Sequence, residues 1–136
     1  MSYQSFEQVL QKCHAEEKEF WRVILEDDMA ERNVSEEDSM EHMRATWDAM
    51  LLAAATYEGN LNSSSGLVGG DGRRMEEYIR NAGTKSLCGE YVDTCIAGAL
   101  QMGESNACMK RIVAAPTAGA CGVLPAVLVP YFQKRC

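Results

Sequence analysis

The sequence predicts an all-α protein, a bundle of about six helices with two Gly-rich loops at helix N-termini. Apolar residues recur at helical spacing along several segments, and no segment shows the period-two alternation that is typical of strands. Helix-capping residues precede some of these segments, and stretches rich in glycine and serine separate others. A length of 136 residues fits a single helical domain, 1–136, with one hydrophobic core.

The composition excludes several classes of protein. Hydrophobic residues make up 46% and charged residues 24%, which is typical of a folded globular chain. The formal net charge of −7 argues against nucleic acid and anionic membrane as partners. No apolar run is long enough to span a membrane, and the charged N-terminus does not resemble a signal peptide. We therefore expect a cytoplasmic protein whose six cysteines stay reduced.

Charge is distributed unevenly along the chain. Residues 1–58 contain 14 acidic and 5 basic side chains, whereas residues 59–136 contain 6 acidic and 8 basic ones. The first part is therefore predicted to form acidic, solvated helices. The second part is predicted to tolerate an anion.

Three helices are predicted in the acidic part. Ser5 caps a short first helix with Gln8 as its capping-box partner, and a second helix covers about residues 16–32. Ser35 caps a third helix, which runs to about Tyr57 and carries acidic residues in its first turn. A methionine-rich stripe on that helix is predicted to pack in the core: Met40, Met43, Trp47, Met50, Leu51 and Ala54.

Three more helices are predicted in the second part. Asp71 is expected to cap a helix that ends near Gly83. The next helix covers about residues 89–107 and has a face of mostly small residues: Val92, Cys95, Ile96, Ala99, Leu100, Gly103 and Ala107. The last, residues 123–132, is apolar all round and should be buried on every side, with Pro130 kinking or ending it. A helix with apolar residues on every side needs neighbours on both sides. The sequence therefore predicts that the chain is a fragment of a longer protein.

A Gly-rich segment lies at the start of the last helix. Residues 114–125 read Ala-Ala-Pro-Thr-Ala-Gly-Ala-Cys-Gly-Val-Leu-Pro. Glycines allow the backbone to approach a ligand closely, and the free N–H groups of a helix N-terminus attract anions. The pattern fits a binding site for a small carboxylate, with Thr117 as a hydroxyl donor. By local pattern alone, a tight turn followed by a capped helix explains it as well.

A second segment combines hydroxyls with glycines. Residues 63–72 read Ser-Ser-Ser-Gly-Leu-Val-Gly-Gly-Asp-Gly, and no nucleotide-binding Gly-x-x-x-x-Gly-Lys motif is present. By itself this segment is equally consistent with a flexible loop that ends in a helix cap.

The cysteines and histidines form no motif. No Cys-x-x-Cys pair occurs, so neither a zinc site nor a redox pair is indicated. Cys13, Cys88, Cys95 and Cys108 are predicted to be small buried hydrophobic residues. His14 and His42 lie in acidic helices and are predicted to be solvated surface residues.

Both Gly-rich segments, in this order, resemble one family. Residues 63–71 resemble the Ser-Gly-Leu-Thr-Gly-Gly-Asp segment of the α chain of two-subunit bacterial L-serine dehydratases. Residues 115–125 resemble the same family's Ala-Pro-Thr-(Ala/Asn)-Gly-(Ala/Ser)-x-Gly-x-x-Pro segment, and this second match is highly specific. The similarity extends over nearly the whole chain. It identifies residues 1–136 as the N-terminal part of the α-chain catalytic domain.

The resemblance implies an L-serine ammonia-lyase of amino-acid degradation and gluconeogenesis, which converts L-serine to pyruvate and ammonia. The family uses a [4Fe-4S] cluster, with one iron as a Lewis acid on the serine hydroxyl. A protein base, which the sequence does not identify, removes the α-proton, and the resulting enamine hydrolyses. L-serine as substrate, a β chain as partner and an oligomeric enzyme are also implied.

The resemblance further implies which residues bind the substrate carboxylate and line its pocket. They are Ser64, Ser65, Gly66, Thr117, Gly119, Ala120 and Cys121. Asp71 is expected to act as a structural cap and not as a base. Cluster ligands are cysteine thiolates, which in the family lie downstream of the Pro-Thr-x-Gly segment. No metal ligand is therefore expected in this chain, Cys121 and the terminal Cys136 included, and the fragment should be inactive alone.

Two other functions remain open on the sequence. The chain could be a non-catalytic module that binds a small carboxylate through the same loop. It could also be an interaction protein, a helical bundle without a site.

Overall fold

The computed structural model describes residues 3–135, apart from the side chains of Thr84 and Arg135, so Cys136 lies outside the described residues. Within them the chain forms six α-helices and no strand, which confirms the all-α prediction. None of these helices is long and apolar enough to cross a membrane. The helices are α1 (Phe6–Glu16), α2 (Phe20–Arg32), α3 (Glu36–Ala55), α4 (Asp71–Ala82), α5 (Glu90–Ala107) and α6 (Val123–Arg135). Short 3₁₀ turns cover Gly83–Lys85 and Ala118–Ala120.

The chain divides into two compact units, residues 1–45 and 46–136. In the first unit, α1 packs against α2 around Val9, Cys13 and Val23. The Ser5 hydroxyl accepts a hydrogen bond from the Gln8 N–H at 3.3 Å, so the predicted cap of α1 is confirmed. Glu17 ends α1 in the left-handed conformation, with its N–H bonded to the carbonyl of Cys13. The second helix therefore begins at Phe20 and not near residue 16, as the sequence predicted.

The surface of the first unit carries interleaved charges. Glu26 accepts hydrogen bonds from Lys18 at 2.7 Å and from Arg22 at 3.1 Å, which lower the pKa of its carboxyl. Ser35 caps α3 as predicted, because its hydroxyl accepts from the Asp38 N–H at 3.1 Å. These side chains are solvated, so each contact contributes little alone.

The methionine stripe of α3 is core only in its C-terminal half. Met50 is buried, with 6% of its surface exposed, and the Trp47 ring meets Phe132 edge-on with 5.5 Å between ring centroids. Met43 is 63% exposed and Met40 is also exposed, so the core prediction is wrong for these two residues. Both lie in the part of α3 that belongs to the first unit, where none of the buried core residues is a methionine.

In the second unit, α5 packs against both α4 and α6. Ala53, Met102 and Cys121 form its buried cluster, with Ile112 packed against them. Small residues bring α5 and α6 close. A Cβ on Gly98 would lie 3.3 Å from the Ala126 Cα, and one on Gly122 would lie 3.0 Å from the Ala99 carbonyl oxygen. Ala99 belongs to the small-residue face predicted for α5, so close approach is found at that residue, whereas Gly98 lies outside the predicted face.

Helix α6 does not end at Pro130 but continues to Arg135, although proline cannot donate the backbone hydrogen bond at that position. Within the described residues it is buried on one face and not on every side. Ala126 and Val129 are buried, whereas Val123, Val127 and Tyr131 are 61%, 47% and 53% exposed. The described residues pack against a single side of this apolar helix, so the other side remains open.

Candidate functional site

The first candidate element is the serine loop, residues 58–70, between α3 and α4. Its tip is closed by its own backbone, because the Ser63 N–H donates to the Val68 carbonyl at 2.9 Å and the Gly66 N–H donates to the Ser63 carbonyl at 2.9 Å. The Ser63 hydroxyl accepts from the Val68 N–H at 3.1 Å and lies 3.1 Å from the Ser65 hydroxyl. Two of the three serine hydroxyls thus hold the turn, while Ser64 is exposed at its tip.

Both ends of the serine loop meet one buried carboxylate, that of Glu104 on α5. Glu104 is 3% exposed. Its Oε2 accepts from the Tyr57 hydroxyl at 2.6 Å, just before the loop. Its Oε1 accepts from the backbone N–H groups of Asp71 and Gly72, the latter at 3.2 Å, just after the loop. Burial, followed by the bond to Glu104, raises the pKa of the Tyr57 hydroxyl well above its ordinary value.

Two glycines are required by the close packing around this carboxylate. Gly72 is buried, and a Cβ there would lie 2.7 Å from Gln101 Cγ and 2.8 Å from the Tyr57 hydroxyl oxygen. A Cβ on Gly69 would lie 2.3 Å from the Leu61 carbonyl oxygen. The glycines of this segment therefore serve internal packing of the loop as well as any ligand.

The expected cap at Asp71 is wrong. Asp71 is the first residue of α4, Gly70 occupies the N-cap position, and no side chain of the N-cap residue closes the helix. The Asp71 carboxylate instead accepts from Arg74 on the surface. The first two N–H groups of α4, those of Asp71 and Gly72, donate instead to Glu104, which comes 33 residues after Asp71 in the chain.

The second candidate element is the threonine loop, residues 114–122, before α6. It contains a cis peptide bond between Ala115 and Pro116, followed by a short 3₁₀ turn. Thr117 precedes the turn, is exposed, and makes no side-chain capping bond. Gly119 is also exposed, and a Cβ there would lie 3.9 Å from the Thr117 hydroxyl oxygen. One open face of the loop thus presents the Thr117 hydroxyl beside the Gly119 backbone.

The other two predicted residues of this loop lie deeper. The Ala120 N–H donates to the Thr117 carbonyl at 3.1 Å, and the Cys121 N–H donates to the Ala118 carbonyl at 3.3 Å. Cys121 is 2% exposed, and burial raises the pKa of its thiol. Both amides are therefore engaged within the turn.

Helix α5 holds the threonine loop in place. The Asn106 side-chain amide donates to the Ala118 carbonyl at 3.1 Å, and the Cys121 thiol lies 3.8 Å from the Met102 carbonyl oxygen. Beside these contacts, a groove of about 470 Å³ opens between α5 and α6. Its lining includes most of the small-residue face predicted for α5, with Gly119 at one end.

The two loops are attached to the same turn of α5 but line different cavities. Glu104 binds the ends of the serine loop, and Asn106 binds the threonine loop. A cavity of about 340 Å³ beside the serine loop is lined by Gly59 to Asn62, Gly69, Gly70, Arg73 and Arg74, and it shares no residue with the groove at Gly119. Of the seven predicted site residues, Ala120 is half-buried and Cys121 is buried, whereas five are exposed: Ser64, Ser65, Gly66, Thr117 and Gly119.

The described cysteines are scattered. Cys13 and Cys121 are buried, Cys95 and Cys108 are half-buried, and Cys88 is exposed. The prediction of full burial is thus right for Cys13 and wrong for Cys88, Cys95 and Cys108. Within residues 3–135, no group of three or more Cys, His, Asp or Glu side chains is arranged to hold a metal ion. His14 and His42 are exposed, as predicted.

Sequence reasoning missed Glu104, Tyr57 and Asn106. One signal for Glu104 was present. It lies in the last turn of α5, where an acidic side chain is unfavourable to the helix dipole, so it had to be stabilised by another partner. No local pattern pointed to Tyr57 or Asn106, because their partners are 47 and 12 residues away.

Comparisons with known proteins agree on one family of dehydratase subunits. A family model described as the serine dehydratase alpha chain matches residues 10–135. The L-serine dehydratase alpha chain of Peptoniphilus asaccharolyticus is 31% identical over 131 residues, covering 93% of this chain and 43% of that protein. A probable L-serine dehydratase alpha chain of Bacillus subtilis (strain 168) is 32% identical over 112 residues, covering 82% of this chain and 37% of that protein. No solved structure matches significantly.

The chain therefore belongs to the serine dehydratase alpha chain family. It spans less than half the length of the curated relatives that it matches.

Proposed function

We propose that this chain is part of an L-serine ammonia-lyase, which converts L-serine to pyruvate and ammonia, and that its two loops bind the substrate. The observation that supports this most directly is the open face of the threonine loop. There a hydroxyl without a capping bond and an exposed glycine backbone lie together, shortly before the N-terminus of α6. Membership of the family supports the choice of L-serine as the substrate.

In this proposal the substrate carboxylate binds to the Thr117 hydroxyl and the Gly119 N–H. Helix α6 begins at Val123 with no acidic residue in its first turn, so its dipole favours an anion nearby. Ala120 and Cys121 use their amides inside the turn, and their role is to hold its shape. The donors are neutral, so the carboxylate is recognised by hydrogen bonds and the dipole without a salt bridge.

The serine loop supplies the remaining contacts. Ser64 lies exposed at the tip, next to Ser65 and Gly66, so its hydroxyl is available to a ligand. The Ser65 hydroxyl accepts from the Leu67 N–H at 3.4 Å and lies 3.1 Å from the Ser63 hydroxyl, which leaves capacity for a third partner. Although the two loops line separate cavities in the described residues, we propose that these three residues contact the same L-serine as the threonine loop and orient it.

The iron–sulfur cluster of the proposed enzyme does not fit the residues described here. Three or four cysteine thiolates must converge on such a cluster, and no such group exists among residues 3–135. Cys121 is buried as a thiol whose raised pKa opposes the thiolate form. We therefore propose that the cluster ligands come from outside this chain. A β chain and an oligomeric, cytoplasmic enzyme are also part of the proposal.

An anaerobic assay tests this function. The complete enzyme, after iron–sulfur reconstitution, should release pyruvate from L-serine, whereas these 136 residues alone should hold no stoichiometric cluster and release none. A fully loaded enzyme that leaves L-serine unchanged would refute the proposal. Stoichiometric cluster and turnover in the 136-residue chain would refute the assignment of the ligands.

Calorimetry with the chain alone separates the other functions. Heat of binding with L-serine, if the complete protein shows no turnover, would indicate a carboxylate-binding module. The absence of both binding and turnover would indicate an interaction protein.

A further inference from the structure

The serine loop is closed at its base by a single side chain. The chain leaves the region of α3 at Tyr57, forms the loop, and enters α4 at Asp71. Glu104 accepts hydrogen bonds from both points, through Oε2 from the Tyr57 hydroxyl and through Oε1 from the N–H groups of Asp71 and Gly72. One carboxylate therefore binds both stems of the loop.

We propose that Glu104 is a positioning residue, which holds Ser64, Ser65 and Gly66 in place for the substrate. The inference rests on the proposed function of the loop. Glu104 does not act as a base, since it is 3% exposed and both of its oxygens accept hydrogen bonds. It acts through the backbone of the loop.

We call Glu104 and its hydrogen bonds to Tyr57, Asp71 and Gly72 the clamp. The physical chemistry of these contacts favours a strong interaction. A buried carboxylate costs several kcal/mol in lost hydration unless several donors replace water. Here three donors do so, and two of them belong to the N-terminus of α4, where the dipole stabilises negative charge. Neutralising the carboxylate weakens these charge-assisted bonds, and removing the side chain leaves the backbone donors buried without an acceptor.

The tip of the loop does not depend on the clamp. Its internal bonds join Ser63 to Val68 and Ser63 to Gly66. Loss of Glu104 should therefore leave the tip folded but free to move relative to α5. The threonine loop should be affected far less, because it is attached to α5 through Asn106 and Cys121.

The N-terminus of α4 is also closed to a ligand by this arrangement. An anion site at a helix N-terminus needs free backbone N–H groups. Glu104 occupies those of Asp71 and Gly72. An incoming carboxylate is thereby directed to the threonine loop, and the serine loop offers its hydroxyls instead.

A double-mutant cycle in the complete enzyme tests the positioning role. Glu104→Gln keeps the size of the side chain but removes its charge, and it should raise the KM for L-serine by about 10-fold, equivalent to one strong hydrogen bond. Ser64→Ala should raise the KM in the native background but change it less than about twofold in the Glu104→Gln background, because coupled residues are not additive. Thr117→Val should keep its full effect in both backgrounds.

Glu90→Gln is the matched control, because it removes an acidic charge from the same helix. Glu90 is exposed, and its carboxylate accepts from Lys134, in α6, at 2.8 Å. Lys134 belongs to neither loop. Glu90→Gln should leave the KM unchanged. Equal coupling of Glu104 to Ser64 and to Thr117 would contradict the positioning role, since a general loss of stability would affect both loops alike.

A second measurement does not depend on serine turnover. Amide hydrogen exchange of the native chain should be at least about 100-fold slower at Asp71 and Gly72 than at Ser64, since buried bonded amides exchange only through opening. Similar exchange rates at the amides of Asp71, Gly72 and Ser64 would refute the clamp. A complete enzyme that does not convert L-serine would refute only the proposed function. If Glu104→Gln does not fold, Tyr57→Phe replaces it. That variant frees one stem and should raise the KM about threefold, and an unchanged KM would overturn the proposal.

Discussion

The serine loop and the threonine loop both precede helices and both rely on glycine, yet their helix N-termini differ. At the N-terminus of α4, the carboxylate of Glu104 accepts hydrogen bonds from the free N–H groups, whereas the first turn of α6 contains no acidic residue. In the first case the protein supplies its own anion. In the second, as proposed, the substrate carboxylate takes that position. Similar Gly-rich sequence thus precedes a helix N-terminus that is closed internally in one loop and, in the proposal, open to the carboxylate in the other.

The largest expected effect tests closure of the serine loop. Gly72→Ala places a methyl group 2.7 Å from Gln101 Cγ and 2.8 Å from the Tyr57 hydroxyl oxygen, so the clamp must move. Overpacking of this kind lowers the free energy of unfolding by about 1–3 kcal/mol, which urea denaturation measures.

Gly103→Ala is the matched control for that substitution. Gly103 lies in α5, and nothing is within 4 Å of the position of its Cβ. Alanine should stabilise that helix by about 0.5–1 kcal/mol. A gain in stability from Gly72→Ala, like that expected for Gly103→Ala, would show that the space around Gly72 is not closed.

The next prediction concerns recognition by the threonine loop. Thr117→Val removes the exposed hydroxyl but keeps the shape of the side chain, so the KM for L-serine should rise about 10-fold with cluster content unchanged. Steady-state kinetics of the complete enzyme measure this. Thr117→Ser retains the hydroxyl and should behave like the native enzyme, and an unchanged KM in Thr117→Val would remove Thr117 from the pocket.

A third prediction uses pH to detect the clamp. The pKa of Tyr57 is raised in the folded chain, so the folded state binds that proton more tightly than the unfolded state does. This contribution to stability is complete below the ordinary tyrosine pKa of about 10 and is lost as pH rises above it, by at most about 1.4 kcal/mol per pH unit. Tyr57→Phe should abolish this part of the dependence. Identical curves from denaturant titrations at pH 9–11 would show that Tyr57 is not buried against Glu104.

The smallest effect is expected at the attachment of the threonine loop. Asn106→Ala removes a neutral hydrogen bond to the Ala118 carbonyl, which should cost about 1 kcal/mol of unfolding free energy. Asn106→Asp keeps the size but loses the donor, and it should cost at least as much. A cost as large as that of Gly72→Ala would mean that the two loops are held equally tightly.

Local signals in the sequence located the helices and both loops. Ser5 and Ser35 cap α1 and α3 as expected, since a cap is formed by residues three apart. Membership of the family was also predictable, because residues 115–125 form a continuous and specific motif. The partner of the α4 N-terminus could not be predicted, because Glu104 lies 33 residues from Asp71 and no local pattern encodes a contact over that distance.

Burial was the least predictable property. An apolar residue indicates only that burial would be favourable, and the neighbours that provide it lie elsewhere in the chain. Met43 and Val127 are exposed for this reason, although both fit apolar patterns. Gly122 and Ala99 show the opposite case, in which small residues do find a close neighbour.

The clamp also determines where the serine loop can change in length. Because Tyr57 and Asp71 are tied to one carboxylate, the two ends of the loop stay fixed while its tip varies. Nothing lies within 4 Å of the Cβ position of Gly66, so residues inserted there would meet open space. Doubling a loop costs only about 0.6 kcal/mol of closure entropy. The tip can therefore be lengthened without rebuilding its base.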